Sequence, residues 1–333
     1  MATTNIHFST KATAFGKSLA AEFQKSVAAQ RKVKARLTEV SLFRAFMKSF
    51  TSTTGLGFII DEYHGAVSQV EFSSVPGKTR GVPRCELCDV LLIVFSTTGE
   101  IRLSFLQAKA KASSAPYPLH FENLEQHVLL AERPKITKWK GSIVWPDEIL
   151  HTALAPSIGS VGIFTSILTS PGFHYSRAID LKPGKVRHGK LWATGNSRFY
   201  SASVMPKGKR KGKPKLLKVP TGFDITHCGS IRNFGCALAS LYVGTPIHEA
   251  ADASSKPTAT GLRATASARQ SIANWLGGIK DKNALGQAAE ELLITLKVKP
   301  EPGVTSAGMG TKRVLVIRIP EMPTPRKSRS RGV

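Results

Sequence analysis

The chain has 333 residues, 41% of them hydrophobic, enough for two average domains or one elaborated domain with a substantial core. That composition excludes a wholly disordered chain, and no apolar run approaches the roughly 18 residues of a membrane span. Lysine and arginine total 47 against 22 acidic residues, a net charge of +25, and this surplus points to a polyanionic partner, nucleic acid foremost.

The first 31 residues lack the apolar centre of a secretory signal, and Glu22 argues against a transit peptide. With only four cysteines, Cys85, Cys88, Cys228 and Cys236, the expected setting is the reducing cytoplasm. Residues 12–36 have Phe15, Leu19, Phe23 and Val27 at helical spacing, which predicts a basic helix. A second helix is predicted over 38–50, with Leu37, Val40, Phe43, Met47 and Phe50 as its main stripe and Leu42 and Phe46 beside it. Residues 58–60 and 67–72 read as extended, and 73–84 as a basic loop with Pro76, Gly77, Gly81 and Pro83.

Residues 89–96 (DVLLIVFS) and 101–110 (IRLSFLQAKA) then read as two strands joined by a tight turn. A helix over 121–132 and a buried strand over 161–168 follow. The order helix, strands, helix, strand predicts an α/β fold with a mixed sheet. Beyond residue 180 the pattern is weaker. Helices are expected over 230–243, 268–277 and 284–297 and a strand over 313–319, with 254–265 as a linker. Residues 207–215 (KGKRKGKPK) form a flexible basic loop, in which Lys207, Lys209, Arg210, Lys211, Lys213 and Lys215 are candidate phosphate contacts. The expected organisation is a basic N-terminal helical arm (1–36), a core (37–180), a C-terminal region of undefined fold and possible target recognition (181–319), and a disordered basic tail (320–333).

The hairpin carries the chemistry. Gln107 and Lys109 are two apart on one strand and share a face. A three-residue loop of Thr97, Thr98 and Gly99 sets Asp89 opposite Gln107, on that same face. A two-residue loop sets it opposite Ala108, on the other. Gly99 suits the three-residue form, whose last position takes a positive φ. Carboxylate and amide oxygens are hard ligands suited to Mg²⁺, and a neighbouring ammonium suits a phosphate or an attacking water.

Asp89, a hairpin, and Gln107-Ala108-Lys109 resemble the PD-(D/E)XK nuclease superfamily in its Q-x-K form, over roughly residues 37–168. Cys88 stands where the family name has Pro, and Gln107 where it has an acid. The resemblance implies a restriction-endonuclease-like core: helix, mixed sheet with a central hairpin, helix, strand. It also implies a Mg²⁺- or Mn²⁺-dependent endonuclease acting on DNA, in restriction, anti-phage defence or recombination, as a homo-oligomer or with other subunits. Asp89, Gln107, Lys109 and Glu39 are then the catalytic set, with Asp89, Gln107 and Glu39 on the metal. Asp61 and Glu62 rival Glu39 for the third place, and Lys111 is a candidate phosphate contact. The bland alternative is a half-buried Asp89–Lys109 ion pair in a non-catalytic basic protein that binds DNA or RNA.

Other signals are weaker. Cys85-Glu86-Leu87-Cys88 is half a zinc pattern, and neither His227-Cys228 nor Cys236 completes it at a common spacing. His64, His120 and His127 fall near the hairpin region without a catalytic pattern.

Overall fold

The computed structural model describes residues 8–33, 36–54, 57–61, 69–75, 81–116, 119–121, 124–139, 158–187, 190–195, 201–202, 225–247, 259–279, 286–303 and 313–319. The fold is mixed α/β. Its main sheet has the strand order β1 (Gly57–Asp61), β15 (Arg313–Ile319), β4 (Val90–Ser96), β5 (Ile101–Ala110), β8 (Gly159–Thr165), β9 (Gly172–Arg177), β13 (His227–Cys228) and β12 (Ser201–Ala202). A ninth strand, β14 (Thr245–Pro246), pairs with the start of β5, ahead of the part of β5 that pairs with β8. Two three-stranded sheets flank it: β3 (Arg84–Glu86), β2 (Gln69–Phe72) and β7 (Ile136–Trp139), and β10 (Leu181–Arg187), β11 (Lys190–Gly195) and β6 (Leu119–Phe121).

Every residue of β4 is buried, because helices cover both sheet faces. Val90, Leu92, Val94, Leu106 and Ala108 pack against α1 (Thr10–Val33), α2 (Glu39–Thr54) and α4 (Ile231–Ala239). Leu91, Ile93, Phe95, Leu103 and Phe105 pack on the opposite face, against α3 (Leu124–Glu132), α5 (Ala259–Gly278) and α6 (Gly286–Leu296). The two-residue alternation of each strand thus feeds two separate apolar layers. α1 crosses α4 closely at two glycines: a Cβ on Gly16 would lie 2.4 Å from the Arg232 carbonyl oxygen. A side chain there would force the helices apart.

Several elements differ from the sequence-based expectation. The segment 121–132 splits into the end of β6 and α3. β8 stops at Thr165, where Ser166 takes φ 51° and turns the chain, leaving Leu168 exposed. Residues 259–265, expected as linker, are the first two turns of α5. The stretch after 180 contributes β12, β13, β14 and β15 to the same sheet, and α1 packs on α2 and α4. Among the described residues, no helix is long and apolar enough to cross a membrane. The 207–215 loop and the tail from 320 lie outside the described residues.

Candidate active site at the open end of the hairpin

β4 and β5 pair so that Phe95 faces Ile101 and Val90 faces Leu106. The Ser96 N–H donates to the Glu100 carbonyl at 2.9 Å, which leaves Thr97, Thr98 and Gly99 as the loop. Gly99 has φ +100°, a conformation that strains any residue with a Cβ. The same register carried to the other end sets Asp89 opposite Gln107, with the Asp89 N–H on the Leu106 carbonyl at 3.2 Å.

The side chains meet there. Asp89 Oδ2 accepts from Gln107 Nε2 and from the Ala108 backbone N–H, the latter at 2.8 Å. Gln126 of α3 donates through Nε2 to Gln107 Oε1, and Lys109 Nζ donates to Gln126 Oε1 at 3.5 Å. Gln107 and Gln126 are buried, with 4% and 8% of their surface exposed, whereas Asp89 and Lys109 are half-buried at the rim. A half-buried carboxylate and ammonium joined by two buried amides keep every polar partner matched, which a buried site requires.

Gln126 is absent from the sequence-based set. The signal for it was a polar residue on an apolar helix stripe, three and four residues before Leu129 and Leu130, which are both buried. Glu39 takes a different place. It heads α2, whose Leu42, Phe43 and Phe46 pack on the face of the sheet opposite to α3. Asp61 ends β1 and is paired in register with Arg313 of β15, and Arg313 in turn stands over the Phe43 ring, 5.5 Å from its centroid. Glu62 and His64 lie outside the described residues. Lys111 follows β5, its backbone N–H on the Phe164 carbonyl at 2.7 Å, and partial burial lowers its pKa.

The thiols are chemically quiet. Burial, and next the charge of Asp89, raise the pKa of Cys88 well above the usual thiol range. Burial, then Glu125 and Glu86, push Cys85 up to about 12. Both therefore stay protonated, the form that neither attacks nor ligates. Among the described residues, no group of three or more His, Cys, Asp or Glu is disposed to hold a metal. The donor set at the hairpin is one carboxylate and one amide oxygen. That suits Mg²⁺, which retains several waters and needs only one or two carboxylates.

Farther along this face, His174 of β9 and His227 of β13 stack with ring centroids 5.9 Å apart. Burial, then the neighbouring His174, lower the pKa of His227 to about 4, and burial lowers that of His174. Folded His227 stays neutral where the unfolded chain, at about 6.5, takes up a proton, so stability falls as pH drops from about 6.5 through about 4. The loss attributable to His227 is on the order of 2–3 kcal/mol. Urea unfolding at pH 7 and pH 4.5 is expected to show a smaller acid loss in His227→Gln than in the wild type. Equal losses would remove His227 as a source.

No family model matches the chain, and neither the curated proteins nor the solved structures contain a match to it.

Proposed function

We propose that this protein is a divalent-metal-dependent endonuclease that hydrolyses phosphodiester bonds in DNA, built on a core of the restriction-endonuclease type. The observation that carries the reading is the register of the hairpin, which sets Asp89 opposite Gln107 with Lys109 two residues beyond. The chain order supports it: α2 precedes the β4–β5 hairpin, and α3 then crosses to β8, which runs parallel to β5. The net charge of +25 supports a polyanionic substrate.

Asp89 and Gln107 would hold Mg²⁺ or Mn²⁺, whereas Glu39 heads a helix packed on the other face of the sheet. A bound divalent ion supplies charge neutralisation at the phosphate and a water of lowered pKa. Asp89, fixed by the Ala108 N–H, keeps its carboxylate aimed from the strand end. Lys109, half-buried at the rim, brings a positive charge to the phosphate oxygens. Phosphate contacts away from the scissile bond come from Lys111, from the basic 207–215 loop, and from the outer side of α1, where Lys11, Lys17, Lys25, Arg31 and Lys32 are exposed. Biological roles in restriction, anti-phage defence or recombination follow from this reading.

A second reading is favoured by one observation: Gln107 Oε1, the oxygen a metal needs, is engaged by Gln126. On that reading the protein binds DNA or RNA without cutting it. Supercoiled plasmid, single-stranded DNA and RNA, each incubated with the purified full chain and Mg²⁺ or Mn²⁺, decide between them. Nicking or linearisation of the DNA that EDTA abolishes is the expected result. Binding without cleavage under either metal would leave the second reading standing.

A further inference from the structure

From Lys109 to Asp89 the hydrogen bonds all run one way. Lys109 Nζ donates to Gln126 Oε1, Gln126 Nε2 to Gln107 Oε1, and Gln107 Nε2 to Asp89 Oδ2. The ends fix this polarity, because an ammonium only donates and a carboxylate only accepts. Each amide between them therefore turns its oxygen towards the lysine and its NH₂ towards the carboxylate. The two amides are buried, so neither has bulk water to satisfy it if it turns alone. They turn together or not at all.

We propose that Gln126 is a positioning residue that couples cation occupancy at Asp89 to the aim of Lys109. The inference rests on the nuclease reading above. With a hard cation on Asp89, Gln107 would have to present its oxygen and not its NH₂ to the same ion. Gln107 then rotates its amide, and its NH₂ faces α3. Gln126 must answer with its own oxygen, which turns its NH₂ towards Lys109 Nζ. Two donors cannot face each other across a hydrogen bond, so the lysine leaves Gln126. Lys109 is half-buried at the rim, and it is the member of the chain with somewhere to go. Without the cation the lysine is parked on α3; with it, the ammonium is released towards the phosphate.

The first test uses the full chain labelled with ¹⁵N in glutamine side chains and alanine backbones. Without metal, the Gln107 side-chain NH₂ is expected to show a nuclear Overhauser contact to the Ala108 amide, which shares Asp89 Oδ2. With Mg²⁺ that contact is expected to disappear and contacts to the Gln126 side chain to replace it. Mg²⁺ bound at Asp89 with the Ala108 contact intact would overturn the coupling and leave the nuclease reading in place. Mg²⁺ affinity no higher in the wild type than in Asp89→Ala would overturn both.

The second test is a cycle of Mg²⁺ affinities. Gln126→Glu puts an acceptor-only group beside Gln107 and favours the rotated amide, so it is expected to tighten Mg²⁺ about fivefold, the worth of one hydrogen bond. In a Gln107→Glu background no rotation is needed, and the same substitution is expected to bring no such gain. Equal tightening in both backgrounds would reduce the effect to added negative charge and overturn the proposal.

Discussion

Asp89→Ala and Lys109→Ala are each expected to lower metal-dependent DNA cleavage about a thousandfold, the scale seen when a group that stabilises developing charge is removed. The folded chain should survive. Both residues are half-buried at strand ends, and neither belongs to an apolar layer. Asp89→Ala leaves the Ala108 N–H without its acceptor and the Gln107 NH₂ with only the Ala108 carbonyl at 3.4 Å, a cost of about 1–3 kcal/mol. Lys109→Ala removes a bond of 3.5 Å at the rim, and its effect on stability should be smaller. DNA affinity should hold in both variants, since most phosphate contacts on the proposed reading lie elsewhere. Cleavage rates, DNA binding at fixed salt and urea unfolding, measured on the same preparations, separate these effects. If either variant cuts at the wild-type rate, the chemistry lies away from the hairpin.

The hairpin was legible because its determinants are local. Gly99 selects the three-residue loop, the loop fixes the register, and the register puts Asp89 opposite Gln107. The apolar runs of β4 and β15 marked both as strands, and the run of β4 as a buried one. The place of β15, between β1 and β4, was not legible, because nothing near residue 313 encodes a pairing with residue 91. Such pairings are decided by tertiary packing. β9 went unassigned for another reason. Its buried Phe173 and Tyr175 alternate with Gly172 and His174, too short a pattern to stand out beside the neighbouring turns. The candidate site was half legible on the same grounds. The strand residues follow from hairpin geometry, whereas Gln126 reaches Gln107 only because α3 packs on that face. The expectation for Glu39 rested on the family pattern and on the Leu42 and Phe46 stripe beside it; the stripe does meet the sheet, but on the face away from α3, a choice of face that no local pattern encodes.

Phe46→Ala is expected to be among the most destabilising single changes in the chain, at about 3–5 kcal/mol against a typical total of about 5–15. Phe46 is fully buried, and its ring is the hub that joins three elements to α2. It meets Phe50 of its own helix edge-on at 4.9 Å, stacks on Phe173 of β9 at 5.0 Å, and reaches Phe164 of β8 and Phe234 of α4 at 6.0 Å each. Truncation removes the ring's apolar area and leaves a cavity that two strands and a helix cannot close without moving. Phe46→Leu should cost less, because it keeps most of the volume while losing the ring contacts. Lys48→Ala, two residues on and exposed, serves as the reference and should stay within about 0.5 kcal/mol. Urea unfolding of the three variants ranks them, and a Phe46→Ala cost near that of Lys48→Ala would show that the aromatic cluster does not bind these layers together. The cluster sits on the face opposite to Gln107 and Gln126, so the cleavage rate per folded molecule should be preserved in Phe46→Leu. A large fall in that rate with stability intact would mean that α2, and Glu39 at its head, are held to the reaction by the packing of Phe46.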